Sequence, residues 1–347
     1  MAITKPQNLD WINSLRLIAL IAVIVLHTAA IPLEQYGKIP LTDWLTADFY
    51  NALVRFAVPV FVMITGALLL HREYELGDFL KKRLGRVIPP FLFWSLVYVA
   101  YSWYNGDLIF KDNTWTSVKQ VLHQLKYGSS YHLWYVYMLI GLYFFIPVIS
   151  KFVRNATKKE TEYFLVMWLV VMLIAQPYLS RFDPQVDLHY FADYGGYLVL
   201  GHYLTFHIDY SKYLVTHMFF LFLFVLIIII TGTYLLYKNN TNQTLLYEPV
   251  NPAIVLLSVS VFLMARFSKL RMPIFLIKIR DFACRYNFGI YLSHALFLYL
   301  LDDLGISYKL CAPIVSIPVT ALAAFILSLL LVWILDKIPF VGKWIAG

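Results

Sequence analysis

LRLIALIAVIVLHT, residues 15–28, is an apolar run with an arginine at its head and a histidine near its tail. Arg16 and His27 are eleven residues apart, which at about 100° per residue returns to within roughly 20° of the same helical face. The rise along the axis separates them by roughly 16 Å. A membrane helix of this kind holds a fixed charge at one depth and a titratable nitrogen about half a bilayer away. We therefore interpret the rest of the chain as a helical bundle built around His27.

The composition of the chain indicates an integral membrane protein. Its 347 residues are 61% hydrophobic and 14% charged, with a mean hydropathy of +0.68. Soluble domains are about half apolar and a quarter charged. The formal charge of +8 does not predict a nucleic-acid partner, because the basic residues fall in short loops between apolar runs, where they set membrane topology.

Apolar segments long enough to cross a bilayer of roughly 30 Å recur along the chain. They predict an all-α, polytopic bundle of about ten transmembrane helices, with no loop long enough for a soluble domain. Residues 1–347 are thus expected to form a single integral membrane domain. The predicted spans are 12–31, 49–70, 87–104, 131–150, 161–180, 190–206, 212–237, 248–266, 286–303 and 312–335.

The distribution of basic residues predicts the orientation. Of the 28 lysines and arginines, 20 lie in the N-terminal segment, the C-terminus and the connections on one side, and seven lie on the other side. The positive-inside rule then places both termini in the cytoplasm of a multi-pass protein of the cell inner or plasma membrane. This orientation puts Arg16 at the cytoplasmic end and His27 deeper and further out. Arg55 lies inside a predicted span and needs a partner, for which Asp48 and Asp193 are candidates.

His27 and an arginine pair are the first candidate site residues. A polar residue on a membrane helix suggests function by default, and the alternative is a histidine hydrogen-bonded to a neighbouring backbone or hydroxyl group. An imidazole suits general base catalysis on a hydroxyl. Arg83 and Arg86 lie three residues apart on one helical face, just before Pro89–Pro90, where we expect a helix to begin. The pair suits phosphate binding, with topology signalling or lipid headgroup contact as the alternative.

Two further histidines have both a functional and a structural interpretation. His132, in YHLWY, belongs either to a site near the outer end of the helical bundle or to an interfacial aromatic belt with Tyr131 and Trp134. His294, in GIYLSHAL, is either a site residue or a core histidine bonded across helices. Cys284 and Cys311 show no metal-ligand spacing, and neither a metal site nor a disulfide is predicted.

Five motifs occur in order, and together they resemble the acyltransferase-3 family of integral membrane acyltransferases over essentially the whole chain. In particular they resemble its stand-alone bacterial sugar O-acetyltransferases, of the type that modifies enterobacterial common antigen. Thr65 stands where the family usually has serine, which keeps the hydroxyl. The first motif is an arginine and a histidine separated by ten residues (Arg16 and His27). The others are RFAVPVFVMITGALL (55–69), RLGR (83–86), YHLWY (131–135) and GIYLSHAL (289–296).

The resemblance implies an acyl-CoA donor, acetyl-CoA being the expected one, taken from the cytoplasm. It implies that His27 and Arg16 are essential and that Arg83 and Arg86 serve the donor. His27 would then act as the general base on a sugar hydroxyl, a transient acyl-histidine being the alternative.

The acceptor is expected to be a glycan or lipid-linked sugar of the cell envelope or of an exopolysaccharide, reached from the outer side past His132 and Trp134. Arg55 or His294 would stabilise the developing oxyanion. The alternative function is a transporter or flippase of a lipid-linked sugar or polysaccharide, which also needs about ten helices and a polar midplane. That class predicts internal pseudo-symmetry, and none is evident in the sequence.

Overall fold

The structure, a computed structural model, describes residues 10–110, 113–177, 194–269, 272–340 and 342–346. All regular secondary structure in these ranges is helical. Short 3₁₀ turns at Tyr131–Leu133 and Leu245–Tyr247 precede α6 and α10. The helices are α1 (Asp10–Leu33), α2 (Leu41–Val54), α3 (Ala57–Leu69), α4 (Leu76–Tyr104), α5 (Thr114–Tyr127), α6 (Trp134–Asn155), α7 (Lys158–Ile174), α8 (Tyr194–Phe206), α9 (Leu214–Lys238), α10 (Pro252–Phe267), α11 (Ile274–Arg285), α12 (Asn287–Asp303), α13 (Pro313–Leu335) and α14 (Gly342–Ile345).

The predicted polytopic helical bundle is confirmed. In the described ranges, seven segments are long and apolar enough to cross a membrane: α1, α2 with α3, α4, α6, α9, α10 and α13, the sixth and tenth helices each with their preceding turn. The other three predicted spans are found as shorter helices, α7 and α12 with 17 residues each and α8 with 13. A count of ten spans and the cytoplasmic placement of both termini stay predictions.

The second predicted span, 49–70, is in fact two helices that begin earlier and break in the middle. The helix α2 starts at Leu41, and the break falls at Arg55–Phe56. Pro59, in the first turn of α3, has no N–H to donate to the carbonyl of Arg55, and its ring crowds that carbonyl. Arg55 therefore lies at a helix break instead of inside a continuous helix.

The prediction that a helix begins at Pro89–Pro90 was wrong, because α4 begins at Leu76 and carries both prolines inside it. The start is fixed by Glu75, whose carboxylate accepts hydrogen bonds from the backbone N–H groups of Gly77 at 3.2 Å and Asp78 at 2.7 Å. These bonds lower the pKa of the Glu75 carboxyl. The RLGR motif (83–86) consequently lies within a regular helix, where its two arginines share a face.

The first helix is the centre of the bundle. Two side chains of α2 hold it, since Trp44 Nε1 donates to the Leu33 carbonyl at 2.8 Å and Asn51 Nδ2 donates to the Leu26 carbonyl at 3.3 Å. The bond to Leu26 lies one residue before His27, so it holds the helical turn that carries His27. The helix packs against α2, α3, α10, α11, α12 and α13.

A close helix contact joins α3 to α8 through glycines. A Cβ added to Gly66 would fall on the backbone carbonyl of Leu198, and one added to Gly201 would fall on the carbonyl of Met63. Both positions therefore require the absence of a side chain, which lets the two backbones approach. This contact places α3, and with it the break at Arg55, firmly in the core.

Candidate active site

The rings of three histidines meet in the interior of the bundle. The ring centroids of His27 and His294 lie 5.4 Å apart, with their planes inclined by 26°. His132 approaches His294 edge-on at 4.9 Å between centroids. His27 comes from α1, His132 from the turn before α6, and His294 from α12. The fold thus joins into one cluster three candidates that the sequence gives only separately.

Backbone carbonyls fix two of these rings. His294 Nδ1 lies 2.6 Å from the carbonyl oxygen of Tyr291, so its N–H donates there and Nε2 carries the lone pair. That buried Nε2 has no hydrogen-bond partner. His132 Nε2 lies 3.3 Å from the Leu292 carbonyl, and its Nδ1 lies 3.1 Å from the Ser130 hydroxyl. His132 is therefore an anchored ring.

His27 is held by ring packing alone among the described residues. It contacts Tyr131 edge-on at 4.7 Å between centroids and stacks on His294, and neither of its nitrogens forms a hydrogen bond there. The neighbouring Thr28 hydroxyl bonds to the Ile24 carbonyl within the helix. An imidazole with a free nitrogen facing a cavity is able to accept a proton from a bound hydroxyl.

A cavity of about 280 Å³ lies against His27. Four of the predicted site residues line it: His27, Arg55, His132 and Trp134. Tyrosines form much of the remaining wall, at positions 131, 135, 247 and 291. An apolar pocket with a few convergent polar groups is the usual form of a small-molecule site.

Arg55 reaches this cavity from the break between α2 and α3. Its guanidinium carbon lies 4.1 Å from the centroid of the Tyr247 ring, and the Tyr247 hydroxyl donates to the buried carboxylate of Asp48. The expected pairing of Arg55 with Asp48 is therefore indirect, with Tyr247 bridging the two side chains. Asp193, the other expected partner, lies outside the described residues. The buried Nε of Arg55 has no partner, which leaves a donor available.

A second group of guanidinium groups lies near the N-terminal ends of α1 and α4. Arg16, Arg83 and Arg86 all lie within electrostatic range of the Tyr143 hydroxyl on α6. None of the three forms an ion pair with a carboxylate in the described ranges. Arg16 is also within range of Tyr135, which lines the His27 cavity. None of these three arginines lines the cavity. Tyr135 is the cavity residue that lies toward them.

Sequence reasoning missed the tyrosines that build the site. Tyr291 donates its hydroxyl to the backbone carbonyl of His132, and Tyr98 donates to the carbonyl of Leu292 at 2.8 Å. Tyr247 holds both Arg55 and Asp48. The 26 tyrosines of the chain were a signal, but interfacial aromatic belts explain such a composition equally well.

Cys284 and Cys311 are free thiols, and neither lines the His27 cavity. In the part of the chain that the structure describes, no group of three His, Cys, Asp or Glu side chains is arranged to hold a metal ion.

The chain matches a known family model over most of its length. The acyltransferase-3 family model, described as an acyltransferase domain, matches residues 9–337, which include every predicted site residue. No curated protein and no solved structure matches the chain significantly.

Proposed function

This chain belongs to the acyltransferase-3 family, and we propose that it is a multi-pass O-acyltransferase of the cell inner or plasma membrane. In this proposal it moves an acetyl group from cytoplasmic acetyl-CoA to a hydroxyl of a cell-envelope or exopolysaccharide sugar. Family membership supports membrane acyltransferase activity. The donor, the acceptor and the role of each residue are our inference from the chemistry of the site.

The position of His27 carries the proposal. Its ring nitrogens have no hydrogen-bond partner among the described residues, and Arg55 lines the cavity beside it. Proton transfer by a positioned base typically contributes about 10²–10⁴-fold to a rate. A cation beside that base stabilises an oxyanion in a site from which water is largely excluded.

In the proposed reaction, the acceptor hydroxyl oxygen attacks the thioester carbonyl carbon while His27 removes the hydroxyl proton. The carbonyl oxygen gains the negative charge, which Arg55 stabilises. Collapse of the tetrahedral intermediate breaks the carbon–sulfur bond. The proton on His27 passes to the leaving thiolate, so that the products are a sugar ester and the free thiol of CoA, and His27 returns to its neutral form.

The donor would lie toward Arg16, Arg83 and Arg86. Guanidinium groups bind phosphates in a bidentate manner, and these three have no carboxylate partner among the described residues. Arg16 precedes His27 by roughly 16 Å along α1. We propose that the phosphates of CoA bind among these arginines and that the thin pantetheine arm passes Tyr143 and Tyr135 to bring the thioester to His27.

The test is transfer of radiolabelled acetyl groups from acetyl-CoA to the glycan fraction of membranes that contain the full chain. We expect His27→Gln to lower the initial rate by about 10²-fold or more and Arg55→Gln by about 10²–10³-fold. His217→Gln is the matched control, because His217 is exposed on α9 and lies outside the site.

Equal transfer by wild-type protein and His27→Gln would remove His27 from the mechanism. Movement of glycan across the membrane without consumption of acetyl-CoA would instead favour a transporter.

A further inference from the structure

A second cavity, of about 370 Å³, also borders His27. His27, Ala30 and Tyr131 line both this cavity and the one that holds Arg55, so the two spaces adjoin at the imidazole. The wall of the second cavity carries Glu34, just beyond the end of α1, and Asp302, near the end of α12. An acidic surface is thus joined to the candidate base.

A third cavity, of about 210 Å³, continues this space. Tyr299 and Asp302 line both the second and the third cavity. The Tyr101 ring stacks on Tyr299 with centroids 5.5 Å apart and planes inclined by 13°, and its hydroxyl donates to Asp303 at 3.1 Å. We call the second and third cavities together the acidic groove.

Thr320 gives the acidic groove a buried polar group without a partner. Its side chain is 3% exposed and lines the second cavity, and its Oγ1 forms no hydrogen bond. Glu34 and Asp302 likewise form no ion pair with any residue in the described ranges. Because buried polar groups are almost always hydrogen-bonded, the unpartnered Thr320 hydroxyl, in a cavity wall that also carries Glu34 and Asp302, points to a polar ligand.

We propose that the acidic groove binds the acceptor glycan and selects a sugar that is neutral or carries an amine over one that carries an acidic group. This inference rests on the proposed function, which supplies the acceptor. Carboxylates accept hydrogen bonds from sugar hydroxyl and ammonium groups, and they repel carboxylates and phosphates. Tyr101 and Tyr299, which line the third cavity, add apolar contact area and polar hydroxyl groups for a sugar.

The charges of the bundle then separate the two substrates. The arginine group at residues 16, 83 and 86 attracts the phosphates of the donor, and the acidic groove repels them. Binding of CoA in the acidic groove is therefore disfavoured, and an acidic glycan is disfavoured there for the same reason. The two substrates approach His27 from opposite sides.

The test is direct binding of three tetrasaccharides to the detergent-solubilised full chain by calorimetry, with no acyl donor present. The probes are N-acetylated chitotetraose (neutral), its de-N-acetylated form (cationic) and tetragalacturonate (anionic). We expect the cationic probe to bind about tenfold more tightly than the neutral one, and the anionic probe not to bind. The double variant Glu34→Gln with Asp302→Asn should lower the preference for the cationic over the neutral probe by at least about threefold and make binding of tetragalacturonate measurable, since Asp107 and Asp303 of the third cavity remain.

Two matched controls separate these effects from folding. Asp43→Asn removes a carboxylate from the first turn of α2, outside the groove, and should leave the discrimination unchanged. Thr320→Val should weaken binding of the neutral probe by about three- to tenfold. Ser328→Ala should not, although Ser328 is also a buried, unpartnered hydroxyl on α13.

Three results would overturn the inference: equal binding of tetragalacturonate, no binding of any probe, or unchanged discrimination in the double variant. The assay contains no donor, so it is independent of the transfer reaction. If acetyl transfer requires His27 but the groove variants bind the probes as wild type does, only the inference about the acidic groove is refuted. Charge discrimination in a protein that transfers no acetyl group would refute the proposed function alone.

Discussion

His27 and His294 are stacked, with ring centroids 5.4 Å apart and planes inclined by 26°. The His294 ring is itself fixed, because its Nδ1–H donates to the Tyr291 carbonyl at 2.6 Å. Its other nitrogen carries a lone pair and has no proton to donate to an oxyanion. For the proposed reaction, this geometry favours a positioning role for His294 against His27 and leaves Arg55 as the candidate to stabilise the oxyanion.

Replacing His294 by phenylalanine keeps a ring beside His27 and removes both nitrogens. We expect His294→Phe to retain transfer within about threefold of wild type, and His294→Ala to lose about 10–100-fold, because a misplaced base costs rate steeply. Initial rates of acetyl transfer and thermal unfolding of both variants provide the measurement. Equal loss in the two variants, with the fold intact, would show that a His294 nitrogen takes part in the chemistry.

Tyr247→Phe tests the bridge between Arg55 and Asp48. The variant removes the hydroxyl that donates to Asp48, a fully buried carboxylate whose second oxygen already has no partner. We expect the free energy of unfolding to fall by about 1–3 kcal/mol, measured by denaturant unfolding in detergent. Tyr234→Phe is the control, since the Tyr234 hydroxyl has no hydrogen-bond partner in the described ranges.

The cost of Tyr247→Phe should depend on Asp48. In the double variant Tyr247→Phe with Asp48→Asn, the loss in free energy of unfolding should be smaller than the sum of the two single losses by about 0.5–3 kcal/mol. Strict additivity would contradict a hydrogen-bonded pair.

At two glycines of α8, we expect an added methyl group to have opposite effects on stability. A Cβ at Gly201 would fall on the backbone carbonyl of Met63, whereas a Cβ at Gly195 would meet nothing within 4 Å. We expect Gly201→Ala to destabilise the protein by about 1–3 kcal/mol and Gly195→Ala to stabilise it by up to about 1 kcal/mol. Unfolding of the two variants under one condition is the measurement. Similar stabilities would refute the close contact between α3 and α8.

Sequence reasoning could predict those parts of the site that depend on local pattern. Helical periodicity relates Arg16 to His27 along one face, and the cost of polar groups in a membrane singles out Arg55 and the histidines. His27, Arg55, His132 and Trp134 indeed line one cavity. These are residues whose chemical type is unusual for their surroundings, and that contrast is visible in a linear sequence.

The remainder depends on contacts between segments that are far apart in the chain. Tyr247 lies in a turn before α10 and meets Arg55 only because that turn folds against the break between α2 and α3. Thr320 is one of three hydroxyl side chains in the apolar helix α13, with Ser316 and Ser328, and no local pattern distinguishes it. The helices α5 and α11 lie in connections outside the predicted spans, because neither is apolar enough to suggest a span.

The donor site is tested by removing phosphates from the donor as well as charge from the protein. We expect Arg83→Gln to raise the KM for acetyl-CoA by about tenfold and to leave the KM for acetyl-pantetheine, which lacks the nucleotide phosphates, within about twofold. Lys81→Gln, which removes an equal charge from the same end of α4, should change neither. If Arg83→Gln impairs both donors equally, the arginine pair does not bind phosphate.

The central claim is that one imidazole receives the donor from the arginine end of the bundle and the acceptor from the acidic groove. The most direct test uses sealed proteoliposomes with labelled acetyl-CoA inside and the envelope glycan fraction outside. The wild-type protein should label the external glycan, and His27→Gln should lower that labelling by about 10²-fold or more. Labelling that requires donor and acceptor on the same side of the membrane, or equal labelling by His27→Gln, would contradict the claim.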